Sequence, residues 1–242
     1  MGHCAVDSSP ADLRALDAAA ATPPSGALPA AVLWDMDGTL LDTEPYWMAE
    51  EHRLVESFGG TWSEEHALEL VGNALLTSAR YIRENTPVDL EPVEIVDRLQ
   101  AGVIARLRES VTWRPGAVEL LAGLVAAGVP CALVTMSWRP MVDVVIEMLP
   151  PGSFAAIVTG DEVSRGKPDP EPYLLAAQML GVAVTDCVAI EDSLTGTASA
   201  LASGAATIVV PHVVQVPARP GLTLVDSLAG VGPHDLLALI ER

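Results

Sequence analysis

Two aspartates separated by one residue, Asp35 and Asp37, are the residues whose types and spacing most clearly suggest chemistry. They follow the apolar run from Ala31 to Leu33, which is typical of a buried strand ending in a tight turn. Side chains two residues apart on an extended segment point the same way, so both carboxyl groups would project from the carboxyl end of this strand. Neighbouring carboxylates repel each other unless a cation or a shared proton relieves the repulsion. With oxygen ligands only and no His or Cys nearby, the expected cation is Mg²⁺.

The stretch from Trp34 to Thr43, WDMDGTLLDT, also has two other interpretations. It is compatible with an Asp-rich turn in which Gly38 supplies a positive φ angle and no chemistry takes place. A calcium loop also contains Asp-x-Asp-Gly, but the apolar Leu40-Leu41 pair and the missing terminal Glu disfavour that type of loop. Taken alone, the stretch does not decide between a turn and a catalytic motif.

Polar residues suited to phosphate or metal also follow three later predicted strands. Thr135, Met136 and Ser137 come after one strand, the loop Gly166–Pro170 with Lys167 follows the next, and Glu191-Asp192-Ser193 comes after a third. Each group has an ordinary alternative role as a helix cap or a solvated loop charge. Open α/β sheets, however, bind ligands at the carboxyl ends of their strands. Agreement among four strand ends therefore predicts a phosphate and metal site there.

The elements that must position these residues alternate between short apolar strands and helices from Arg114 onward. This pattern predicts an α/β fold with a doubly wound parallel sheet. Residues 46–112 are predicted to be all-helical and to lie over the first strand as a lid. The predicted domains are a leader at 1–29, expected to be disordered, a core at 30–45 and 113–242, and a helical cap at 46–112.

Composition restricts the partners of this chain of 242 residues. Its formal net charge of −19 argues against nucleic acid and against an anionic membrane surface. Of thirteen basic residues only Lys167 is a lysine. No apolar run approaches the ~20 residues of a spanning helix, and no secretory signal is recognisable, so a cytoplasmic location is expected. Cys131 and Cys187 lie in strand-like runs and are expected to be buried apolar residues.

Together these motifs resemble the haloacid dehalogenase (HAD) superfamily, in the branch with a helical cap that includes β-phosphoglucomutase and phosphoglycolate-type phosphatases. The resemblance covers about residues 30–230 and rests on DMDGT (35–39), VTMS (134–137), GKPDP (166–170) and IEDS (190–193), in the family's order. It implies a Rossmann-like core and a phosphatase that forms an aspartyl-phosphate.

The resemblance also implies a role for each motif residue. Asp35 would be the nucleophile and Asp37 the general acid and base. Mg²⁺ would be held by Asp35, Asp192 and the backbone carbonyl of Asp37, with Glu191 a direct or water-mediated ligand. Residues that would bind the phosphoryl group are Thr135, Met136 and Lys167.

Details within the resemblance bear on the reaction. An acid at Asp37 argues against a dehalogenase, and the lack of a second lysine excludes a phosphonatase. β-Phosphoglucomutase has a His where this chain has Trp47, and an Arg where Leu75 stands if Gly72 is aligned with its cap glycine. The arginines that could replace that cation are Arg53, Arg80 and Arg83.

The favoured function is therefore a Mg²⁺-dependent phosphatase of a small phosphorylated metabolite, a monomer or small homo-oligomer. A sugar-phosphate mutase is the alternative. A non-catalytic phosphate-binding or interaction protein on the same fold remains a third interpretation.

Overall fold

The computed structural model describes residues 27–240, and within them a six-stranded parallel sheet has the strand order β3-β2-β1-β4-β5-β6. The strands are Ala31–Trp34 (β1), Cys131–Val134 (β2), Ala156–Val158 (β3), Cys187–Glu191 (β4), Ala206–Val209 (β5) and Leu222–Leu224 (β6). The predicted doubly wound α/β fold is confirmed. The sequence predicted that residues 1–29 are disordered. Of this segment, residues 1–26 lie outside the described part of the chain.

Helices cover both faces of this sheet. The α-helices are Glu44–Ser57 (α1), Glu64–Leu68 (α2), Leu75–Asn85 (α3), Pro92–Glu109 (α4), Ala117–Ala126 (α5), Arg139–Glu147 (α6), Glu171–Leu180 (α7), Leu194–Ser203 (α8) and Asp235–Ile240 (α9). In β1, Val32 and Trp34 belong to the hydrophobic cluster of α5 and α6, whereas Ala31 and Leu33 belong to that of α7 and α8. Because both faces are buried, the strands read as continuous apolar runs.

The chain changes direction across the sheet between β1 and β4. It proceeds from β1 through β2 to β3 on one side and from β4 through β5 to β6 on the other. Trp34 is in register with Ile190, so the residues after them, Asp35 and Glu191, lie side by side at the carboxyl edge. α8 starts immediately afterwards because the Ser193 hydroxyl accepts the Gly196 amide at 3.0 Å. This is the position at which open α/β sheets bind ligands.

Helices α1–α4, which we call the cap helices, separate β1 from α5. The two connecting segments run side by side, with Asp42 N–H donating to Thr112 O and Arg114 N–H donating to Leu40 O. A loop of the cap meets the core at Gly72, where an added Cβ would lie 2.6 Å from Ser193 Oγ. The cap helices begin at Glu44 and end at Glu109, where the sequence predicted a helical segment over 46–112. The division of the chain into two domains stays a prediction.

Two elements were absent from the sequence prediction. The strand β6 and a 3₁₀ turn at Val184–Asp186 each span only three residues, which is too short for a periodic pattern. Cys131 and Cys187 begin β2 and β4 and are buried, as expected. Across residues 27–240 the structure contains no helix with the length and apolar character needed to cross a membrane.

Candidate active site

Asp35 follows the last residue of β1 and belongs to a buried ion-pair network with Lys167 and Glu191. The Lys167 ammonium group donates to Asp35 Oδ1 at 2.6 Å and to Glu191 Oε1 at 2.7 Å. The Tyr173 hydroxyl donates to the same Glu191 oxygen at 2.5 Å, and Lys167 Nζ lies 5.2 Å from the Tyr173 ring centroid. The loop after β3 thus delivers the single lysine of the chain to the strand ends.

This network carries more negative than positive charge. Burial, followed by the neighbouring carboxyl group of Glu191, raises the pKa of Asp35 to about 7 although Lys167 opposes the rise. Burial, followed by the carboxyl groups of Asp35 and Glu191, raises the pKa of Asp192 well above its ordinary value. For Lys167, burial acts to lower the pKa, but Asp35 and Glu191 outweigh it and raise the pKa. The buried carboxyl groups therefore favour a further cation.

The chemistry of the donors fits Mg²⁺. Carboxylate oxygens of Asp35, Glu191 and Asp192 lie within 4.8 Å of one another and all three residues are buried. Three carboxylates with the one ammonium group of Lys167 leave two negative charges, which one divalent cation would balance. Oxygen-only donors are those that Mg²⁺ prefers. The side chain of Asp37 is not part of this cluster, so its predicted metal role rests on its backbone carbonyl.

Asp37 lies at the centre of a separate cluster of donors. Its Oδ1 accepts from the Thr43 hydroxyl at 2.5 Å and from the Trp47 indole N–H at 3.2 Å. Its Oδ2 accepts from the hydroxyls of Ser137 at 2.7 Å and Thr135 at 3.2 Å. Donors from the hinge, the cap helix α1 and the loop after β2 thus hold one carboxyl group in a fixed orientation.

The three predicted phosphate-binding residues surround the same space. Thr135, Met136 and Lys167 all line the cavity between the sheet edge and the cap helices. The Met136 sulfur accepts the Lys167 amide at 3.2 Å, which ties the two loops together. Within residues 27–240 the Met136 N–H has no hydrogen-bond acceptor, so it is available to an anion.

The turn after Asp37 requires glycine for two reasons. Gly38 has φ +82°, a conformation that L side chains rarely adopt. In addition, a Cβ at this position would lie 2.1 Å from Asp192 Oδ2. The close approach of the turn to Asp192 therefore depends on Gly38.

The part of the cavity formed by the cap helices contains two acidic residues that the sequence analysis did not identify as functional. Glu44 and Glu51 line it from α1. Trp47, also on α1, and Leu75, on α3, line the same part of the cavity. Burial, followed by the carboxyl group of Asp37, raises the pKa of Glu44 to about 8. Burial raises the pKa of Glu51 to about 7 against the effect of its hydrogen bond from Trp62.

Comparison with known proteins agrees with this arrangement. The profile of the haloacid dehalogenase-like hydrolase family matches residues 29–204. The chain belongs to this family. The match spans the sheet edge, the cap helices and all four motifs, and it confirms the resemblance inferred from the sequence.

Relatives within the family give the class of reaction. Hexitol phosphatase A of Escherichia coli (strain K12) is 34% identical over 185 residues, which cover 74% of this chain and 81% of the relative. The phosphorylated carbohydrates phosphatase of Thermotoga maritima is 32% identical over 224 residues, covering 88% and 98%. CbbY from Rhodobacter sphaeroides, solved in complex with phosphate, superimposes with a TM-score of 0.76 at 29% identity, covering 85% of this chain and 97% of that one. The predicted enzyme class, a hydrolase acting on phosphomonoesters, is confirmed at the level of the family.

Proposed function

We propose that this chain is a Mg²⁺-dependent phosphatase that hydrolyses a small phosphorylated metabolite through an aspartyl-phosphate on Asp35. The observation that carries the proposal is the position of the Asp35 carboxyl group, which lines the cavity, accepts a hydrogen bond from Lys167 and lies within 4.8 Å of an Asp192 carboxylate oxygen. An Asp35 oxygen forms a bond to phosphorus while the bond from phosphorus to the leaving alcohol breaks. Water then attacks phosphorus, releases inorganic phosphate and restores the carboxylate.

Asp37 transfers the protons in both steps. It gives a proton to the leaving alcohol oxygen and becomes a carboxylate, and it later accepts a proton from the attacking water. The hydrogen bonds from Thr43, Trp47, Thr135 and Ser137 suit the carboxylate that exists between the two steps. They also hold the group in the position that both transfers require.

Charge neutralisation around the phosphoryl group is assigned to residues of three loops. Lys167, Thr135 and the Met136 amide would bind phosphoryl oxygens. Asp35, Asp192 and the Asp37 carbonyl would hold Mg²⁺, which when bound supplies positive charge to those oxygens.

Glu191 is assigned to the outer side of the metal site. Its carboxylate already accepts from Lys167 and Tyr173 at Oε1, and from the Asp192 amide and the Ser193 hydroxyl at Oε2. A carboxylate has about four lone-pair sites, so a water-mediated contact to the cation is favoured over a direct one.

Hydrolysis is favoured over the mutase alternative by the positions of the three candidate arginines. Arg53 is paired with Glu50 and Arg83 with Glu91, and Arg80 is exposed. Of the described residues that line the cavity, Lys167 alone is basic. A second dianionic group would enter the cap side without a cation, which carries a large desolvation cost.

Phosphate release from purified protein tests this function. An aryl phosphate and a panel of phosphorylated metabolites are supplied with Mg²⁺ or with EDTA, and the variants are Asp35→Asn and, as an exposed control on α1, Glu56→Gln. We expect Mg²⁺-dependent release in the wild type and in Glu56→Gln, with loss of ~10⁴-fold or more in Asp35→Asn. Isomerised sugar phosphate with little free phosphate would identify a mutase. Absence of turnover with every compound would favour the non-catalytic interpretation.

A further inference from the structure

Glu44 is a buried residue, 6% exposed, whose carboxyl group accepts no hydrogen bond from residues 27–240. Its surroundings instead include the carboxyl groups of Asp37, Glu51, Asp35 and Asp42. A buried polar group is normally paired, so an unpaired one facing a ligand cavity indicates that the ligand supplies the missing partner.

Glu51 lies one helical turn beyond Trp47 on the same side of α1 and also lines the cavity. Its Oε2 accepts the Trp62 indole N–H at 3.1 Å, which holds the carboxyl group in place. The Oε1 atom receives no hydrogen bond from the described part of the chain. Two residues of one helix therefore line the cavity with carboxyl oxygens that accept no hydrogen bond from residues 27–240.

The remainder of the cap side is apolar or neutral. Apolar side chains of this lining are Met48, Leu70, Leu75, Val96 and Leu99, and the neutral polar ones include Asn73 and Ser78. The lining as a whole has five carboxyl groups, those of Asp35, Asp37, Glu44, Glu51 and Asp192. A compound with C–H faces and hydroxyl groups matches this surface, since its hydroxyls donate to carboxylates and accept from carboxylic acids.

We propose that Glu44 and Glu51 form a hydroxyl-binding subsite for the leaving group, so that the substrate is the phosphomonoester of an uncharged polyhydroxy compound and substrates with a second anionic group are rejected. This subsite rests on the proposed phosphatase function and adds the identity of the groups beyond the phosphate. Rejection follows because a carboxylate or second phosphate would be desolvated beside buried carboxyl groups without a cation. The raised pKa values of Glu44 and Glu51 are consistent with this, because burial is the main cause of both and neighbouring carboxyl groups add to it at Glu44.

The test compares kcat/KM for phosphate release from five compounds that differ in the charge of the part beyond the phosphate. They are an aryl phosphate, a hexitol monophosphate, an amino-sugar monophosphate, a hexose bisphosphate and a phosphorylated hydroxy acid. The variants are Glu44→Gln, Glu51→Gln, Glu44→Lys and the matched control Glu56→Gln, whose side chain is exposed on the same helix. Circular dichroism melting shows that each variant is folded.

We expect the wild type to prefer the hexitol monophosphate over the bisphosphate and the hydroxy acid by at least ~10-fold. Glu44→Gln and Glu51→Gln should lower kcat/KM for the hexitol compound by roughly 5- to 30-fold, mainly through KM, and the loss with the aryl phosphate should be smaller. Glu44→Lys should raise the relative rate with the bisphosphate. Glu56→Gln should match the wild type.

Three results would overturn the subsite. One is a wild-type preference for the bisphosphate or the hydroxy acid, and another is an equal loss with all five compounds in Glu44→Gln. The third is a strong preference for the amino-sugar phosphate that disappears in Glu44→Gln, because the pair would then recognise an ammonium group. Failure of the phosphatase function itself is distinguishable, since the wild type would then release no phosphate even from the aryl phosphate.

Discussion

The two halves of the cavity differ in the hydrogen bonds that their acidic side chains accept. In the core half, formed by the strand ends, Asp35 and Glu191 share the Lys167 ammonium group, and Asp37 accepts four hydrogen bonds. In the cap half, formed by α1–α4, Glu44 has no donor within the described residues. The comparison teaches that the core half is organised before substrate arrives, whereas Glu44 in the cap half depends on the ligand for a hydrogen-bond donor. We therefore assign chemistry to the first half and selection to the second.

The largest effect is expected from removing the acid and base in the core half. Asp37→Asn keeps the shape and one acceptor oxygen with its two hydrogen bonds but cannot give up a proton to the leaving group, so kcat should fall ~10²- to 10⁴-fold. The fall should be greater for an alkyl phosphate than for an aryl phosphate, because an aryl oxygen leaves with less need of a proton. Steady-state rates with both compounds check this, and an equal fall would contradict the role of Asp37 as acid.

Substitution of Tyr173 tests whether the hydrogen bonds of the core half position its carboxylates for Mg²⁺. Its hydroxyl donates to Glu191 and its ring lies under Lys167, so Tyr173→Phe retains the packing and removes only the hydrogen bond. We expect about 10-fold weaker Mg²⁺ binding by isothermal titration calorimetry. Tyr81→Phe, on the cap helix α3, is the matched control. Unchanged Mg²⁺ affinity in Tyr173→Phe would show that Glu191 does not need this hydrogen bond.

Trp47 joins the two halves, since it belongs to α1 but donates to Asp37. Trp47→Phe should lower kcat roughly 5-fold by removing one of the donors, with a smaller change in KM. An effect confined to KM would instead place Trp47 among the residues that contact the leaving group. Initial rates over a substrate series distinguish the two results.

The smallest effect is a pH-dependent stability difference in the cap half. The pKa of Glu44 rises from 4.5 to about 8 on folding. Between these values the unfolded state loses the proton while the native state keeps it, so the free energy of unfolding falls as the pH increases through this range. Glu44→Gln should therefore be more stable than the wild type at pH 8, and the advantage should shrink towards pH 5. Urea unfolding in EDTA at both pH values measures it, with Glu56→Gln as control. A difference that does not vary with pH would contradict the raised pKa.

The sequence was informative for the core half because its residues follow strands at short, fixed spacings. Asp35, Lys167 and Asp192 were predicted as one site since parallel strands bring their carboxyl ends to one edge, and the structure does bring them together. The doubly wound topology was likewise predictable, although the strand order was not. Local patterns carry this information because each motif adjoins the element that positions it.

The sequence did not predict the roles of the acidic residues in the cap half, or of Tyr173 and Trp47, which donate hydrogen bonds to the carboxylates of the core half. Glu44 looks like an ordinary acidic residue in the first turn of a helix and Glu51 like one in its middle. Tyr173 looks like a packing aromatic on α7. Helical periodicity assigns a side chain to a face but does not say which distant element that face meets. The hydrogen bond from Trp47 to Asp37 joins two elements whose contact is not encoded in the local pattern of either one.

Trapping the phosphorylated enzyme tests the central claim most directly. The wild type and Asp37→Asn are mixed with a hexitol monophosphate and Mg²⁺, quenched in acid within the first turnovers, digested and analysed by mass spectrometry. The proposed mechanism predicts a phosphoryl group on the peptide that contains Asp35, more abundant in Asp37→Asn if release of the intermediate is slowed more than its formation. Turnover without any adduct on that peptide, or with an adduct on a different residue, would contradict Asp35 as the nucleophile.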